Sequence, residues 1–565
     1  MQDKIKKLIK DALKNLRIED VDFIVEHPED LKNGDYSTNV AMASAKKLKT
    51  NPKEFADKIV EILRQAQDEF PEIQEIQIAG AGFINFYLSP KFFAGSVEEI
   101  LNNKNFAENH LFSKKKIMIE YTDPNPFKPL HIGHLMTNAI GESIARILEF
   151  SGADVSRANY QGDVGLHVAK AIWGLIQDLK LQDKSGSIAL QSANVGQAYA
   201  KGASAYEDDE KTTPKDGEIK KQIDEINKKI YDRSDEKINE IYDWGFKVTM
   251  EAFEDVYRML GTKFDYYFLE SLVAPFGANV IRENMGKVFE ESDGAVVFRA
   301  EKYDEKLHTR VFITSLGLPT YEGKELGLAL EKFKTKPDMN LYIVITANEQ
   351  MDYMRVVAKA LSLIHPEYTD KMKHITHGMM RFSRTIAGKM SSRSGLIVTA
   401  EELLRQLKEK TGIDGIAVGA IKYMILRQAI GGDIIFDLEK SVSTEGDSGV
   451  YLQYTHARAN SVLEKAKKEN ILPDPHILPD QVPEVEKLLY RFPEVVFRSA
   501  SEYAPHYIAN YLTELARAYN SFYGNTTIVD KKDKTSAYKV ALTFAFTFVM
   551  KKGLHLLGIE APVKM

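Results

Sequence analysis

The sequence predicts a multidomain α/β protein: a doubly wound parallel sheet, preceded by a small α+β domain and followed by an all-α domain. Its 565 residues are several times what one hydrophobic core organises, so three or four domains are expected. A strand-loop-helix-strand order starts at IMIEY, residues 117–121, and is typical of a doubly wound sheet. Beyond Thr411 the apolar spacing is helical, with breaks at Pro493 and Pro505.

Composition excludes several kinds of site. The chain has no cysteine, which rules out disulfides, thiolate zinc sites and thiol nucleophiles. Its 75 basic and 81 acidic residues give a net charge of −6, so any nucleic-acid surface must be a local patch. The sequence lacks the roughly 18 uninterrupted apolar residues of a membrane helix, and its N-terminus lacks the apolar block of a secretory signal. We expect a cytoplasmic protein without membrane contact.

The small domain is expected over residues 1–110. It ends with IQIAGAGFINFYLS, an alternating, strand-like segment closed by Ser89 and Pro90. Lysine runs start at Lys46 and Lys114. Such runs are candidate contacts to nucleic acid, although they are more often solvated faces.

The core domain is expected over residues 111–184 and 261–405. After the strand IMIEY, the prolines of TDPNPFKPLHIGH keep Asp123, Asn125 and Lys128 out of the helical region. Apolar residues at three- and four-residue spacing then predict a helix that begins at or just after the histidines: Met136, Ile140, Ile144 and Ile147. The segment DVSRANY is the second strand, and AVVFRA, RVFIT and NLYIVIT would complete the sheet.

Two helical regions flank the later part of the core. Residues 185–260 hold a charged stretch and a long amphipathic pattern, which predicts a helical insertion. Residues 406–565 form the predicted all-α domain. Between them, GKMSSRSGLIV is a glycine-bounded polar loop, and the helix after it starts with a capping box of Thr399 and Glu402.

The segment PLHIGH, residues 129–134, contains the first candidate for chemistry. A helix N-terminus presents unpaired N–H groups and a partial positive charge, which suit a phosphate. Gly133 allows the backbone to approach a ligand closely. The imidazoles of His131 and His134 can donate hydrogen bonds to oxygens that gain charge as an α-phosphate is attacked.

Taken alone, two histidines in such a pattern are more often ordinary loop residues, and a zinc site would need further ligands. A second loop changes this balance. The stretch GKMSSR, residues 388–393, places Lys389 between a glycine and hydroxyls, which suits a departing pyrophosphate. The two loops together are far more specific than either one.

HIGH and KMSSR in this order resemble the two signatures of class I aminoacyl-tRNA synthetases. Nine further segments, spread over nearly the whole chain, resemble the arginyl-tRNA synthetase family in that family's order: IEYTDPNPFKPLHIGHL, NYQGDVG, QAYAKGASAYEDDE, FDYYFLES, LPTYEGKELG, GVYLQYTHARA, LLGIEAPVKM, GDYSTN and AGFINFYLS. The resemblance implies a Rossmann-like (HUP-type) catalytic core, an N-terminal tRNA-binding domain and a C-terminal anticodon-binding domain.

An arginine pocket needs carboxylates and flat acceptors, because a guanidinium is planar, permanently charged and rich in donors. Glu120 and Asn125 lie beyond a strand's carboxyl end, where ligands collect in α/β sheets; by resemblance they contact the α-amino and carboxylate ends of arginine, close to His134. Tyr321 can pack on the guanidinium plane, and Glu325 lies on the same helical face. The family usually has aspartate at that position. In ANEQMDY, Asn348 and Gln350 are both candidate contacts, and Gln350 is favoured.

The resemblance assigns ATP to the two signature loops, with His131, His134 and Lys389 as the catalytic residues. The expected ATP-binding residues are Lys128, His131, Gly133, His134, Lys389, Met390, Ser391, Ser392 and Arg393. Ser392 stands where the family's best-known form has a second lysine, and Arg393, Lys128 or bound Mg²⁺ can compensate that charge. No protein metal site is expected. Asp163 and His167 either line the cleft or serve as a cap and a core polar group.

Two surfaces are expected to contact tRNA. Tyr451, Tyr454 and Arg458 form one stripe of a helix, and such residues stack on unpaired bases and hold phosphates. Spacing alone favours a core role for the tyrosines, whereas the resemblance turns this helix toward the anticodon loop. By resemblance, Tyr36 and Asn39 in GDYSTN contact the outer corner of the tRNA, and the terminal Met565 lies near the anticodon.

The resemblance implies a monomer that activates L-arginine with ATP and Mg²⁺ and transfers arginine to the terminal adenosine of tRNA(Arg). The family can require bound tRNA for the first step. Two alternatives are a simple nucleotidyltransferase with an HxGH loop and a non-catalytic tRNA-binding relative. The helical C-terminal third and the N-terminal domain argue against the first, and the intact signature loops argue against the second.

Overall fold

A computed structural model describes residues 1–65, 69–212, 217–383, 399–477 and 481–565. These residues form two compact units. Unit 1 comprises Met1–Phe106, Arg458–Phe492 and Glu514–Val549, and unit 2 comprises Ala107–Ala457, Pro493–Thr513 and Met550–Met565. In the part of the chain that the structure describes, no helix has an apolar stretch of the length that a bilayer requires.

The N-terminal part of unit 1 has the predicted α+β composition. Its elements are α1 (Gln2–Asn15), β1 (Val25–Glu26), β2 (Tyr36–Thr38), α2 (Val40–Leu48), α3 (Pro52–Gln65), β3 (Ile73–Ala79), β4 (Phe83–Leu88) and α4 (Pro90–Asn102). The strands form an antiparallel sheet in the order β1-β2-β4-β3. The segment IQIAGAGFINFYLS is therefore a hairpin of β3 and β4. Its apolar side chains pack on α1 and α3 in one buried cluster.

The main sheet of unit 2 is parallel throughout, as predicted. The strands of unit 2 are β5 (Lys116–Glu120), β6 (Asp154–Gln161), β7 (Tyr266–Leu269), β8 (Glu290–Ser292), β9 (Ala295–Phe298), β10 (Arg310–Ile313), β11 (Leu341–Ala347), β12 (Met372–His377), β13 (Met380–Phe382) and β14 (Ile434–Phe436). The main sheet has the order β12-β11-β5-β6-β7. Strand β5 is its central strand, and residues 117–120 are buried.

Two strands predicted for this sheet lie elsewhere. AVVFRA and RVFIT form β9 and β10, which join β8 in a separate antiparallel sheet. The reason is the turn between β8 and β9, where Asp293 and Gly294 both have positive φ, 51° and 76°. An Asp-Gly turn of this kind closes a tight hairpin and fixes antiparallel pairing. Strands β7 and β12, which the apolar pattern did not indicate, complete the parallel sheet instead.

Helices cover the main sheet and build the remainder of the chain. Those up to the second signature loop are α5 (Ile132–Phe150), α6 (Leu166–Gln177), α7 (Ile188–Thr212), α8 (Glu218–Asp232), α9 (Glu236–Leu260), α10 (Glu270–Glu283), α11 (Tyr321–Thr335) and α12 (Met351–Ile364). Those after it are α13 (Ala400–Thr411), α14 (Asp414–Leu426), α15 (Leu438–Ser441), α16 (Gly449–Lys468), α17 (Glu484–Leu489), α18 (Phe492–Glu502), α19 (His506–Asn525) and α20 (Ser536–Leu556).

Helices α10 and α11 approach each other unusually closely, and glycines allow it. A Cβ atom on Gly277 would lie 2.3 Å from the backbone oxygen of Gly323 and 3.1 Å from the Cα of Gly327. Because these neighbours are backbone atoms, they cannot give way as a flexible side chain can. The contact sets the position of α11, which carries Tyr321 and Glu325.

We expect Gly277→Ala to lower the midpoint of thermal unfolding, since overpacking of this kind costs about 1–3 kcal/mol. The matched control is Gly196→Ala in α7, where the new methyl would find only Pro129 Cδ at 3.7 Å. The control should leave the midpoint unchanged or raise it slightly, because alanine favours the helix. Equal midpoints for the two variants would show that the α10–α11 contact can relax.

Candidate active site

Five acidic side chains converge at the carboxyl edge of the main sheet. Glu120 ends β5, Asp123 follows it in the loop, and Glu270 begins α10 directly after β7. Glu322 and Glu325 lie in the first turns of α11. This edge is where ligands bind in open α/β sheets. The five carboxylates differ in whether a cation already neutralises them.

Three of the five have a cation within the protein. Glu120 is 2% exposed and forms a salt bridge with Lys332, while its other oxygen accepts a 2.9 Å hydrogen bond from the Tyr342 hydroxyl. Lys324 Nζ lies 2.7 Å from Glu270 Oε1. The longest pair joins Arg310 to Glu322 at 3.7 Å.

The other two, Asp123 and Glu325, form no salt bridge with any described residue. Asp123 Oδ1 accepts a 2.7 Å hydrogen bond from the backbone N–H of Tyr160, and Glu325 accepts none from the described residues. Burial, followed by the nearby Glu120 carboxylate, raises the pKa of Asp123 well above its usual range and that of Glu325 to about 8. The pocket therefore holds two carboxylates that a bound cation would stabilise.

Asn125 lies against this pocket. A Cβ atom on Gly162 would be 2.2 Å from Asn125 Oδ1 and 3.5 Å from Glu270 Oε2. Glycine at position 162, directly after β6, thus leaves room for the amide at the sheet edge. The Asn125 amide and the Glu270 carboxylate consequently both lie next to Gly162.

The predicted aromatic and amide contacts have different settings. Tyr321 begins α11 and is 72% exposed, with Lys324 Nζ 5.5 Å from its ring centroid. Gln350 is half-buried and accepts a 2.7 Å hydrogen bond from the Tyr353 hydroxyl. Burial and the Glu325 carboxylate raise the pKa of Tyr353, which links Gln350 to the pocket. Asn348 is exposed and donates to Gly431 O at 3.1 Å.

The HIGH segment forms the N-terminal cap of α5. Nδ1 of His131 accepts from Gly133 N–H at 3.1 Å, and Nδ1 of His134 accepts from His131 N–H at 3.0 Å. The two rings stack with centroids 3.7 Å apart. A Cβ atom on Gly133 would come within 2.9 Å of the His131 ring, so glycine is needed for this arrangement.

The cap decides which ring nitrogens can donate. Desolvation lowers the pKa of His131 and, more strongly, of His134, and the Lys128 ammonium adds to both shifts. Both rings are therefore neutral near pH 7. Since each Nδ1 accepts a hydrogen bond, each ring carries its proton on Nε2. The helix thus begins with two neutral Nε2–H donors at the positive end of its dipole.

The loop that joins β5 to α5 is held in rarely populated backbone conformations. Thr122, Asp123 and Phe127 have φ of 79°, 47° and 67°, the left-handed region that non-glycine residues seldom adopt. Phe127 is fully buried, and its ring centroid lies 5.7 Å from that of Tyr242 in α9. Lys128 is half-buried and lies over the ring of Tyr199 of α7 at 5.1 Å. The insertion therefore packs on the loop that carries the candidate site.

The KMSSR segment lies outside the described residues, and with it Lys389, Met390, Ser391, Ser392 and Arg393. The residues that follow it are anchored beside HIGH. Thr399 forms a β-bridge with His131, and Ala400 N–H donates to Leu130 O at 2.8 Å. Thr399 also caps α13, because its side chain accepts from Glu402 N–H. On the other side, Ser383 N–H donates to Phe436 O at 3.0 Å.

Comparisons with known proteins agree over the whole chain. The family described as tRNA synthetases class I (R), catalytic domain, matches residues 96–438, more than half of the sequence. Arginyl tRNA synthetase N terminal domain matches residues 3–88, and DALR anticodon binding domain matches residues 452–565.

The chain belongs to the arginyl-tRNA synthetase family. The arginine–tRNA ligase of Fusobacterium nucleatum is 30% identical over 100% of this chain and 99% of that protein. The ligase of Halothermothrix orenii is 28% identical over the same shares. The arginyl-tRNA synthetase of Thermus thermophilus superposes with a TM-score of 0.79 over the full length of both chains, at 24% identity. The resemblance and the fold class predicted from the sequence are confirmed.

The family's N-terminal domain places the two predicted tRNA contacts differently. Asn39 is half-buried, and its Oδ1 accepts from Ile24 N–H at 3.0 Å. Tyr36 is 0% exposed and lies between His27 and Tyr490, with ring centroids 4.4 and 6.1 Å away. The prediction of a tRNA contact at Tyr36 is therefore corrected: the ring belongs to an aromatic core.

The helix expected to face the anticodon loop is α16. Tyr451, Tyr454 and Arg458 are half-buried along one stripe, whereas residues 452, 453, 455 and 456 between them are buried. Arg458 Nη1 donates to Asn520 Oδ1 at 2.7 Å, and its guanidinium lies 5.3 Å from the Tyr523 ring. The terminal Met565 is 47% exposed. The two tyrosines are thus only half-buried, whereas spacing alone favours a core position.

Asp163 and His167 make hydrogen bonds that stabilise the fold around the site. Asp163 is 1% exposed and accepts from the backbone N–H of Ser271 at 2.8 Å and from the Tyr242 hydroxyl at 3.1 Å. It therefore caps the start of α10 from a neighbouring loop. His167 contacts Gly162 O at 2.9 Å through Nε2, and burial lowers its pKa to about 3.

Several site residues have no clear signal in the sequence. Asp123, Glu270 and Lys324 stand within segments that resemble the family, but nothing in those segments marks them as site residues. Lys332 and Tyr342 are ordinary helix and strand residues until the fold brings them to Glu120. The distance from Glu120 to Lys332 is 212 residues along the chain. A lysine in a helical pattern is normally exposed, so nothing local indicates a buried pair.

The raised pKa of Glu325 makes a prediction about stability. A carboxyl whose pKa is about 8 in the folded chain but near 4.3 when unfolded keeps its proton only while folded, so stability falls between those pH values. Glu325→Gln removes this titration. We expect its melting temperature to rise relative to wild type from about pH 5 to about pH 8 and then level off. The exposed Glu283→Gln is the control, and its curve should run parallel to wild type; a parallel curve for Glu325→Gln would contradict the prediction.

Proposed function

We propose that Asp123, Asn125 and Glu325 hold arginine at the edge of the main sheet, while the HIGH and KMSSR segments hold ATP. As a member of its family, the chain activates L-arginine with ATP to arginyl-adenylate and transfers arginine to the 3′-terminal adenosine of tRNA. The proposal concerns which residues carry out each part. No residue needs to become covalently attached to substrate in this scheme.

The supporting observation is that two carboxyl groups in the pocket have no cationic partner among the described residues. Three carboxylates have cations of the protein, whereas Asp123 and Glu325 form no salt bridge with the described residues. Arginine brings two cationic groups, a guanidinium and an α-ammonium. We assign Glu325 to the guanidinium and the Asp123 side of the pocket to the α-ammonium, because burial makes each unpaired carboxylate favour a bound cation.

The remaining predicted contacts complete the pocket in this proposal. Glu120 keeps acceptor capacity beyond its bonds to Lys332 and Tyr342, since a carboxylate has about four acceptor positions, and Asn125 can hydrogen-bond the substrate's carboxylate end. Tyr321, exposed at the pocket rim, would cover the guanidinium plane when arginine enters. Gln350, bonded to Tyr353 beside Glu325, would fix an N–H of the substrate.

ATP would lie at the start of α5. Two Nε2–H donors, the positive end of the α5 dipole and Lys128 all favour an anion there. As the arginine carboxylate attacks the α-phosphate, negative charge grows on oxygens that these fixed donors can stabilise. Lys389 would bind the departing pyrophosphate together with Ser391, Ser392 and Arg393. The anchoring of Thr399 and Ala400 next to His131 supports this placement.

We propose that Mg²⁺ enters with ATP. Among the described residues, no group of three or more histidine or acidic side chains could hold a metal ion. The ion would neutralise phosphate charge that Ser392 leaves uncompensated.

The tRNA would contact α16 through Tyr451, Tyr454 and Arg458, with Met565 near the anticodon and Asn39 toward the outer corner. We further propose that the protein works as a monomer in the cytoplasm. Its affinity for tRNA should weaken steeply with salt, as expected when several phosphates are contacted.

The deciding experiment is ATP–pyrophosphate exchange with arginine or lysine, with and without tRNA. Exchange should depend on arginine, and its KM for arginine should fall as the pH rises from about 6.5 to about 8.5, because Glu325 must be ionised to bind a guanidinium. Glu325→Gln should raise that KM at least about tenfold, the loss of one charge-assisted contact. Exchange with lysine alone would refute the pocket, and no exchange under any condition would refute the activity.

The substitution His134→Ala tests the proposed ATP site. We expect kcat of exchange to fall about a hundredfold or more, since a group that stabilises developing charge is lost. The half-buried His365→Ala, outside the proposed site, is the control and should retain full activity. Thermal unfolding, measured alongside, separates a weakened helix cap from lost chemistry. A normal kcat for His134→Ala would return the HIGH histidines to a purely structural role.

A further inference from the structure

Lys332 is a fully buried lysine near the pocket but set back from it. It lies on α11, seven residues after Glu325, and is 0% exposed. Its ammonium contacts Glu120 and the Tyr342 hydroxyl, the latter at 2.5 Å. The rings of Tyr342 and Phe268 lie 4.2 and 5.6 Å from it. Taking a lysine out of water costs several kcal/mol, so its retention needs an explanation.

Local pairing with Glu120 accounts for only part of it. Among the charges around Asp123 and Glu325, the Lys332 ammonium opposes the rise of both pKa values that burial and Glu120 cause. Without it, Glu120, Asp123 and Glu325 would lie together, and the Lys324 ammonium, which also lowers the pKa of Glu325, would remain paired with Glu270. Like charges so close cannot all stay ionised, and a protonated carboxyl cannot pair with a guanidinium.

We propose that Lys332 is a positioning residue for arginine recognition: it neutralises Glu120 and thereby leaves Asp123 and Glu325, two carboxylates, for the two cationic groups of arginine. This inference rests on the proposed arginine site. Lys332 does not touch the substrate. It holds Glu120 in one orientation, shared with the Tyr342 hydroxyl, and supplies a fixed positive charge that limits the rise in pKa of Asp123 and Glu325, so that both ionise more readily when arginine binds.

The alternative is that Lys332 merely fastens α11 to β5. A fastening role predicts lower stability when the lysine is replaced, with no change in how arginine recognition depends on pH. The positioning role predicts a change in that pH dependence which is specific to arginine, because ATP binds at the start of α5.

The first measurement is kcat/KM for arginine against pH, in ATP–pyrophosphate exchange by the full-length chain with tRNA present. Lys332→Met keeps an unbranched side chain of nearly the same length and removes its charge. We expect the acidic limb of the profile to move to higher pH, KM for arginine to rise at least about tenfold at neutral pH, and KM for ATP to change little. An unmoved limb with a lowered melting temperature would leave only the fastening role and overturn the proposal.

The double variant Glu120→Gln/Lys332→Met removes both buried charges and tests the same idea independently of folding, since replacing both members of a buried pair is far milder than breaking it. We expect its acidic limb to return toward the wild-type position, even where KM stays raised. A limb that remains displaced would contradict the proposal.

Tyr342→Phe keeps the ammonium but frees one Glu120 oxygen, and should raise KM for arginine severalfold without moving the limb. An unchanged KM would also count against the positioning role. If wild type showed no arginine-dependent exchange, the proposed function itself would fail. If wild type and Glu325→Gln behaved as expected while Lys332→Met matched wild type, this inference alone would fail.

Discussion

The site depends on unequal neutralisation of carboxylates at the end of a buried sheet. Glu120, Glu270 and Glu322 each have a cation of the protein, at distances of up to 3.7 Å. Asp123 and Glu325 form no salt bridge with the described residues, and burial raises the pKa of both. Ionising these carboxyls without a partner is unfavourable, and in the proposed site a dicationic ligand would offset that cost. In this proposal, the affinity for arginine and the destabilisation of the empty site have the same origin.

The fold creates this situation through strand direction and helix spacing. Parallel strands bring their carboxyl ends to one edge, so Glu120 and the loop after β5 meet the start of α10 after β7. Helix α11 completes the pocket because Gly277, Gly323 and Gly327 let it lie against α10 at backbone distance. Lys332 can then reach Glu120 from the same helix that carries Glu325. The position of α11 thus places both the Glu325 carboxylate and the Lys332 ammonium in the pocket region.

The sequence predicted the parts of this arrangement that are local. The βαβ order, the helix start at HIGH and the capping role of Thr399 follow from spacing and capping chemistry. The strands that make up the main sheet could not all be predicted from the sequence. AVVFRA forms a hairpin because of the Asp293–Gly294 turn, and the sequences of β7 and β12 show no strong alternation. The burial of Tyr36 cannot be predicted locally either, because the cluster around it includes residues far away in sequence, among them Tyr490. The pairing of residues distant in sequence, such as Lys332 and Glu120, cannot be predicted from local patterns.

In the proposed arrangement, the two substrates are separated by charge before any chemistry occurs. The pocket at the sheet edge is acidic, whereas the start of α5 offers neutral imidazole donors, a helix N-terminus and Lys128. The β5–α5 loop joins the two, with Thr122, Asp123 and Phe127 in left-handed conformations that cost about 1–3 kcal/mol each in strain. Phe127 is locked in the core beside Tyr242, so tertiary packing offsets that cost. A rigid loop fixes the distance between the carboxylate pocket and the phosphate donors, and in-line attack on an α-phosphate requires such a fixed distance.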